Sequence, residues 1–328
     1  MRVLVTGCSG FLGREITRQL MDRGDQVVGL SRRSVSDLVL AGMTHHRGDL
    51  LDAQYVQRCV ADVDAVIHTA AVAGVWGPAK YFFENNVIAS RNVLHACQSA
   101  RIENLVYTSS PSVTFDGDDQ CSVDESVNYP SRWLCEYPRT KAIAEREILD
   151  ADSPGKLRTV SLRPHLIWGP GDPHLLPRVL ERAKTGRLRI VGDGENLIDT
   201  VHITNAAAAH LDAIDVLSSG PDRAGGRAYF IAQDEPVNCW QWISRLCQMH
   251  DIAPPTRSIS YENAYRIGAV LESIFRITRR ASEPPMTRFV ASQLAKHHYF
   301  DITAAKQRLG YRVRIDMETG LGSLMPTK

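Results

Sequence analysis

The sequence predicts an α/β chain, a doubly wound parallel sheet with a smaller, interleaved C-terminal domain. Three observations carry that expectation. Short apolar segments alternate with helix-period segments through the first two-thirds of the 328 residues, as strands covered by helices on both faces do. A glycine-rich turn follows the first apolar segment directly. Beyond residue 163 the grammar changes, at the breaker cluster Gly169-Pro170-Gly171-Asp172-Pro173.

The elements follow in order. Apolar runs predict strands over residues 3–5, 26–30, 44–47, 65–68, 105–108 and 159–163. Between them, residues 11–23, 54–61, 82–99 and 137–150 carry apolar positions at helical spacing. A helix is expected near 175–185, then a strand over 189–191 and a turn at Gly192-Asp193-Gly194. Residues 204–217 read as a helix returning to the first domain, followed by a strand at 228–232, three helical stretches and a segment at 311–315. The expected division is 1–168, with 195–220 returning to it, against 169–194 plus 221–328 as the smaller domain.

Composition narrows the function classes. Lys plus Arg number 38 against 37 Asp plus Glu, so no general basic field points to nucleic acid. Seven scattered cysteines form neither a disulfide framework nor a zinc pattern. His45-His46 and His297-His298 are adjacent pairs, not one-turn ligand pairs, and His202 sits at a junction; no metal is expected. Residues 2–5 begin a strand right after Met1, leaving no room for a signal peptide, and no apolar run approaches the ~20 residues of a membrane span. A cytoplasmic enzyme is the expectation.

The opening Thr6-Gly7-Cys8-Ser9-Gly10-Phe11-Leu12-Gly13 follows a strand and starts a helix, the context of a Rossmann-type dinucleotide site. Gly7 permits the tight turn, Gly10 lets backbone approach a pyrophosphate, and Gly13 lets the helix sit close. The helix start, with Phe11 and Leu12, offers open N–H groups to phosphate. The second strand leads into Ser31-Arg32-Arg33 rather than an acid. Guanidiniums suit a ribose 2′-phosphate, so NADP(H) is favoured, with NAD(H) still open. Asp49 and Leu50 follow the third strand, and Ala70 and Ala71 the fourth, where small residues let a cofactor cross the sheet edge.

Tyr137 and Lys141 form a Tyr-x-x-x-Lys pair one helical turn apart. A tyrosine of pKa ~10 seldom ionises near neutrality. The ammonium, aided by an oxidised nicotinamide, is expected to bring the phenol toward working range, making Tyr137 the proton donor in reduction. Lys141 would also hold the nicotinamide ribose. Ser110, at the end of the fifth strand, could bind the substrate oxygen, with Ser109 pointing to the opposite face.

These residues resemble the extended short-chain dehydrogenase/reductases, and within them the 3β-hydroxysteroid dehydrogenase/isomerase family. Thr6–Gly13, His68-Thr69-Ala70-Ala71, Asn86-Val87, Tyr107–Ser110, Tyr137–Lys141 and Arg163-Pro164 fit in order. The likeness is closest to bacterial 2-alkyl-3-oxoalkanoate reductases of long-chain olefin biosynthesis. Ala73-Gly74-Val75-Trp76-Gly77, Arg163–His174 and Glu283–Phe289 carry it. The resemblance implies catalytic roles for Ser110, Tyr137 and Lys141, and cofactor contacts at Pro164 and Ile167. Asn86 either completes the site or braces its helix. The implied activity is reduction of a long-chain β-keto acid, a hydrophobic substrate bearing a ketone or hydroxyl. A homodimer and association with other olefin-pathway enzymes are implied partners. The alternatives are a steroid or sterol dehydrogenase, a nucleotide-sugar epimerase, and a silent NADP-sensing protein, for which Tyr137 and Lys141 would be superfluous.

Tyr261–Ile277 carries Ile267, Val270, Leu271, Ile274 and Phe275 at helical spacing, with Arg266, Arg276, Arg279 and Arg280 nearby. It is expected to wall a groove for alkyl chains and offer an arginine to a carboxylate; core packing and contact with a membrane surface are the alternatives.

Overall fold

The computed structural model describes residues 1–219 and 224–325. Seven parallel strands form the main sheet, in the order Arg227–Ile231, Arg158–Pro164, Asn104–Thr108, Ala65–His68, Arg2–Thr6, Gln26–Ser31 and Thr44–Arg47. From the Arg2–Thr6 strand the chain winds outward on one side, then returns to pair Ala65–His68 on the other. Strand order reverses there, opening a crevice at the carboxyl ends.

Strand periodicity sorts the core into two layers. Val3 and Val5 face Leu12, Ile16 and Leu20 of the Phe11–Asp22 helix and Ile214 and Leu217 of the Ile203–Ser219 helix. Leu4 faces the opposite layer, with Val56, Val93, Leu94 and Ile148 from three further helices. Burial on both faces is why these strands read as continuous apolar runs. A third core gathers Trp168, Leu176, Trp240, Trp242, Leu246 and Leu321 in the smaller domain.

The helix expected over 82–99 starts earlier and is interrupted. Ala79–Phe82 is α-helical, Phe83–Ile88 widens into a π turn, and Ala89–Ala100 resumes the α-helix. A short helix at Ser36–Leu40 was not expected. Nor was the four-stranded sheet ordered Val237–Asn238, Leu197–Ile198, His298–Phe300, Gln120–Val123. Its strands have two to four residues, too short to show a period.

The two domains interleave differently from the expected division. Residues 227–231, assigned from sequence to the smaller domain, form the edge strand of the main sheet, paired with Arg158–Pro164. Ile302, Leu309 and Tyr311 join the main core, while Ile198 lies in the smaller one. Within 195–220, the Ile203–Ser219 helix packs in the main core; the expected boundary at 220/221 falls outside the described residues. The 311–315 segment forms no regular element. It is held by Asn205, whose Oδ1 accepts from the Arg314 and Ile315 N–H groups and whose Nδ2 donates to the Ile315 carbonyl.

Candidate active site

The predicted site residues gather at the carboxyl ends of the parallel strands. Gly7 adopts φ +72°, and a Cβ there would lie 2.9 Å from Ala70 backbone atoms. A Cβ on Gly13 would stand 2.2 Å from the Gly7 carbonyl oxygen. Gly13 therefore lets the helix close onto the glycine turn itself. Gly10 caps the Phe11–Asp22 helix with no side-chain hydrogen bond, and a helix start presents backbone N–H groups that its own turns do not use. Backbone with no obstructing Cβ, at a helix start, fits a pyrophosphate.

Around this cradle the loops are tied to one another. Thr69 Oγ1 donates to the Thr6 carbonyl at 2.7 Å, and the Ala70 N–H donates to Thr6 Oγ1 at 3.3 Å. His68 is fully buried between Thr6 Oγ1 (2.6 Å) and Ser90 Oγ (2.9 Å). Ser90 donates to the Asn86 carbonyl, so it accepts from His68 Nε2–H, and Nδ1 accepts from Thr6. Burial first, and the Lys141 charge second, hold the His68 pKa at about 3. His68 is a neutral brace.

At the second strand end, the Ser31 hydroxyl is committed to the turn, donating to the Arg33 carbonyl at 2.7 Å and contacting His45 Nε2 at 3.0 Å. Arg32 and Arg33 are exposed. Arg32 lies 3.8 Å from Asp49 and 3.4 Å from Asn85, so the third strand brings an acid beside the arginine. The Leu50 side chain packs in the core and its carbonyl accepts from Asn92. Pro164 ends its strand, buried, and Ile167 is half-buried, pairing with Val201. His165 between them is tied through Nε2 to His298 Nδ1 at 2.6 Å, joining the two domains.

The Glu136–Asp150 helix carries the other half of the site. Lys141 is 2% exposed; its Nζ donates to the Thr108 carbonyl and sits 4.1 Å above the Tyr107 ring. Burial pulls its pKa down to about 7, opposed by Glu145. The Tyr137 phenol is not lowered as the sequence reading expected. Burial raises its pKa, the Ser110 hydrogen bond opposes this, and Cys135 adds to it. Lys141, turned to Thr108, is not among the groups that move it. Tyr137 thus holds its proton at neutral pH.

Ser110 is half-buried, its Oγ 2.9 Å from Ser112 Oγ. Ser109 is buried, and its Oγ has no hydrogen-bond partner among the described residues. Asn86 is a brace: Oδ1 accepts from the Val72 N–H, and Nδ2 donates to the Val72 carbonyl and Thr140 Oγ1. It ties the loop after the fourth strand to the residue preceding Lys141.

Sequence reasoning missed Glu145. It lies one turn beyond Lys141, fully buried, accepting from Arg163 (2.7 Å), Tyr129 (2.6 Å) and Ser161 (2.8 Å). The signal was present as spacing: Tyr137, Lys141 and Glu145 recur every four residues on one helix face.

A cavity of about 550 Å³ opens beside this helix start, its wall including Trp76, Phe82, Leu134, Cys135, Phe275 and Arg276. Of the apolar residues grouped on Tyr261–Ile277, Phe275 alone lines it. Ala264, Gly268, Glu272 and Phe275 form the buried face, with a Gly268 Cβ only 2.7 Å from the Thr287 backbone. Ile267, Val270, Ile274 and Ile277 point outward and are exposed. Among the described residues, no helix is long and apolar enough to cross a membrane, and no cluster of three or more His, Cys, Asp or Glu could hold a metal ion.

Comparison with known proteins adds an independent line. The sequence profile of the 3-beta hydroxysteroid dehydrogenase/isomerase family matches residues 4–260. A 2-alkyl-3-oxoalkanoate reductase of Shewanella oneidensis is 44% identical over 326 residues, 98% of this chain and 84% of that protein. One from Stenotrophomonas maltophilia is 43% identical, covering 99% of this chain and 98% of that protein. Among solved structures, MoeE5 in complex with UDP-glucuronic acid and NAD superposes with a TM-score of 0.75 at 25% identity, covering 99% of this chain and 97% of that one.

Proposed function

The chain belongs to the 3-beta hydroxysteroid dehydrogenase/isomerase family, and from that premise we propose that it reduces a 2-alkyl-3-oxoalkanoate to the 2-alkyl-3-hydroxyalkanoate with NADPH, in olefin hydrocarbon biosynthesis. One observation carries the reading: Tyr137 and Lys141 share a face of the Glu136–Asp150 helix, with the Lys141 Nζ on the Thr108 carbonyl, at the end of the sheet where the glycine turn opens the Phe11–Asp22 helix. Relatives bearing the reductase name along nearly the whole chain support the substrate class. The NAD carried by MoeE5 supports a nicotinamide dinucleotide, and Arg32 with Arg33 favours the 2′-phosphorylated form.

A nicotinamide coenzyme held at the Gly7–Gly13 turn would supply the hydride to the carbonyl carbon. Ser110 and Tyr137 hydrogen-bond the substrate oxygen, and Tyr137 gives it the phenolic proton as negative charge develops there. Solvent reprotonates the resulting phenolate, and Lys141, one turn along the same face with its Nζ on the Thr108 carbonyl, would hold the nicotinamide ribose. Glu145, itself neutralised by Arg163, favours the charged form of Lys141. Gly7 and Gly13 let the glycine turn pack against Ala70 and against its own helix, which leaves the helix start for the pyrophosphate.

The test measures NADPH and NADH oxidation against 2-alkyl-3-oxo acids, ketosteroids and UDP-sugars. Tyr137→Phe should retain NADPH binding and lose turnover by 10²-fold or more. Undiminished turnover in that variant, or turnover of UDP-sugars alone, would overturn the proposal.

A further inference from the structure

We propose that the cavity beside the Glu136–Asp150 helix is a carboxylate-recognition site, in which Arg276, Arg279 and Arg280 hold the acid group of the substrate and Trp76, Phe82 and Leu134 receive its alkyl part. The inference deepens the reductase reading and rests on it for the identity of the ligand.

Charge balance is the first argument. Five arginines and two glutamates line the cavity, an excess of three positive charges, in a chain whose formal net charge is only +1. Both glutamates are already committed. Glu136 pairs with Arg139 at 2.6 Å, and Glu272 with the Arg288 side chain and N–H, each at 2.7 Å. Arg276 stands 3.9 Å from the occupied Glu272 carboxylate. Arg279 and Arg280 have no carboxylate partner among the described residues. Cationic groups of this kind, facing a concave wall, attract an anion.

Preorganisation is the second. The Arg276 guanidinium lies over the Trp76 ring at 5.7 Å, and that of Arg280 over the Phe275 ring at 5.3 Å. Trp76 Nε1 donates to the Arg280 carbonyl at 3.2 Å. Arg279 takes φ +51°, and the Arg280 N–H closes back onto the Phe275 carbonyl at 2.9 Å. This turn carries the 279–280 segment back to the cavity rim. Ring stacking limits the guanidinium freedom that binding would otherwise remove.

Position is the third. Cations in a last helical turn also suit the helix dipole, but that does not account for the apolar wall opposite them. Nor does it account for Cys135 and Glu136, the two residues before Tyr137, forming part of the same wall. An acid group held here leaves a neighbouring ketone to reach toward the phenol, and a branched alkyl chain to lie on Trp76 and Phe82. Fork-shaped guanidiniums bind a carboxylate through paired N–H groups, which an ester does not reciprocate with equal strength.

The experiment titrates decanoate and methyl decanoate into the full-length protein. It compares wild type with an Arg276→Gln/Arg279→Gln/Arg280→Gln variant, by calorimetry and by tryptophan fluorescence, since Trp76 and Trp133 line the cavity. Wild type should prefer the acid by about tenfold or more. The variant should lose that preference, and Lys at the three positions should restore part of it. No acid preference in wild type, or an unchanged preference in the variant, would overturn the site. Unchanged melting temperature and NADPH affinity identify a folded variant; if the triple variant melts early, Arg279→Gln alone is read by the same acid-to-ester ratio. A kinetic arm separates the two readings. Loss of kcat/KM for the 3-oxo acid, through KM and well beyond any loss for its methyl ester, supports both. Wild type that turns over no ketone sinks the reductase reading while the binding contrast still decides the carboxylate site.

Discussion

At the residue scale, buried charge is where chemistry and stability meet. Glu145 and Arg163 are 0% and 3% exposed at the side chain, a pair whose separation leaves one uncompensated charge in the core. Glu145→Gln should therefore destabilise the fold by about 3 kcal/mol and lower the Lys141 pKa further; urea unfolding and the pH dependence of turnover check both. Asp199 presents the opposite case. Burial, with Asp234 adding and the Phe300 N–H opposing, pushes its pKa up to about 7, and Oδ1 has no partner. The folded state thus keeps a proton that the unfolded chain releases near pH ~4. This group's contribution is fully present below pH ~4 and is lost as pH rises through about 7. Asp199→Asn should gain about 1 kcal/mol or more over wild type at pH 8 and little at pH 4.5; denaturation at the two pH values reads the difference, and an equal effect at both would refute it. That Tyr137 and Lys141 share a helix face was legible from their spacing, because residues four apart lie one turn apart. The acid at position 145 was not singled out, because a glutamate inside a helix is ordinarily a solvated one.

At the element scale, one helix carries two apolar stripes with different fates. The Tyr261–Ile277 helix buries Ala264, Gly268 and Phe275 against the Arg288–Ala295 helix and leaves Ile267, Val270 and Ile274 outside. Phe275→Ala should weaken kcat/KM for long alkyl chains several-fold more than for short ones. Ile274→Ser should change both alike; chain-length series on the two variants check this. Amphipathic spacing identified the helix, but it does not say which stripe faces inward. Gly268, which allows the neighbouring backbone to approach, decides that. The π turn at Phe83–Ile88 is similar: its sequence is helical, and the extra residue per turn is visible only in the hydrogen bonds.

At the scale of the whole molecule, residues 300–321 stitch both domains. Phe300 stacks on Phe230 of the edge strand at 4.2 Å, Ile302, Leu309 and Tyr311 fill the main core, and Met317 and Leu321 fill the smaller one. Truncation after residue 297 should abolish folding of the entire chain rather than of one domain. Circular dichroism and soluble yield measure it, and a folded truncated product with NADPH affinity would contradict the packing. Phe300→Ala should cost about 3 kcal/mol and still melt in one transition.

Sequence by itself determined the parallel sheet, the glycine cradle and the Tyr137–Lys141 pair, because backbone sterics, two-sided burial and helical spacing are local properties that residues state directly. Tertiary structure alone decided that residues 227–231 complete the main sheet, that Lys141 turns to Thr108, and that Arg276, Arg279 and Arg280 come to face Trp76 and Phe82. Those arrangements join segments up to some two hundred residues apart in the chain, and no local pattern encodes which distant surface a side chain will meet.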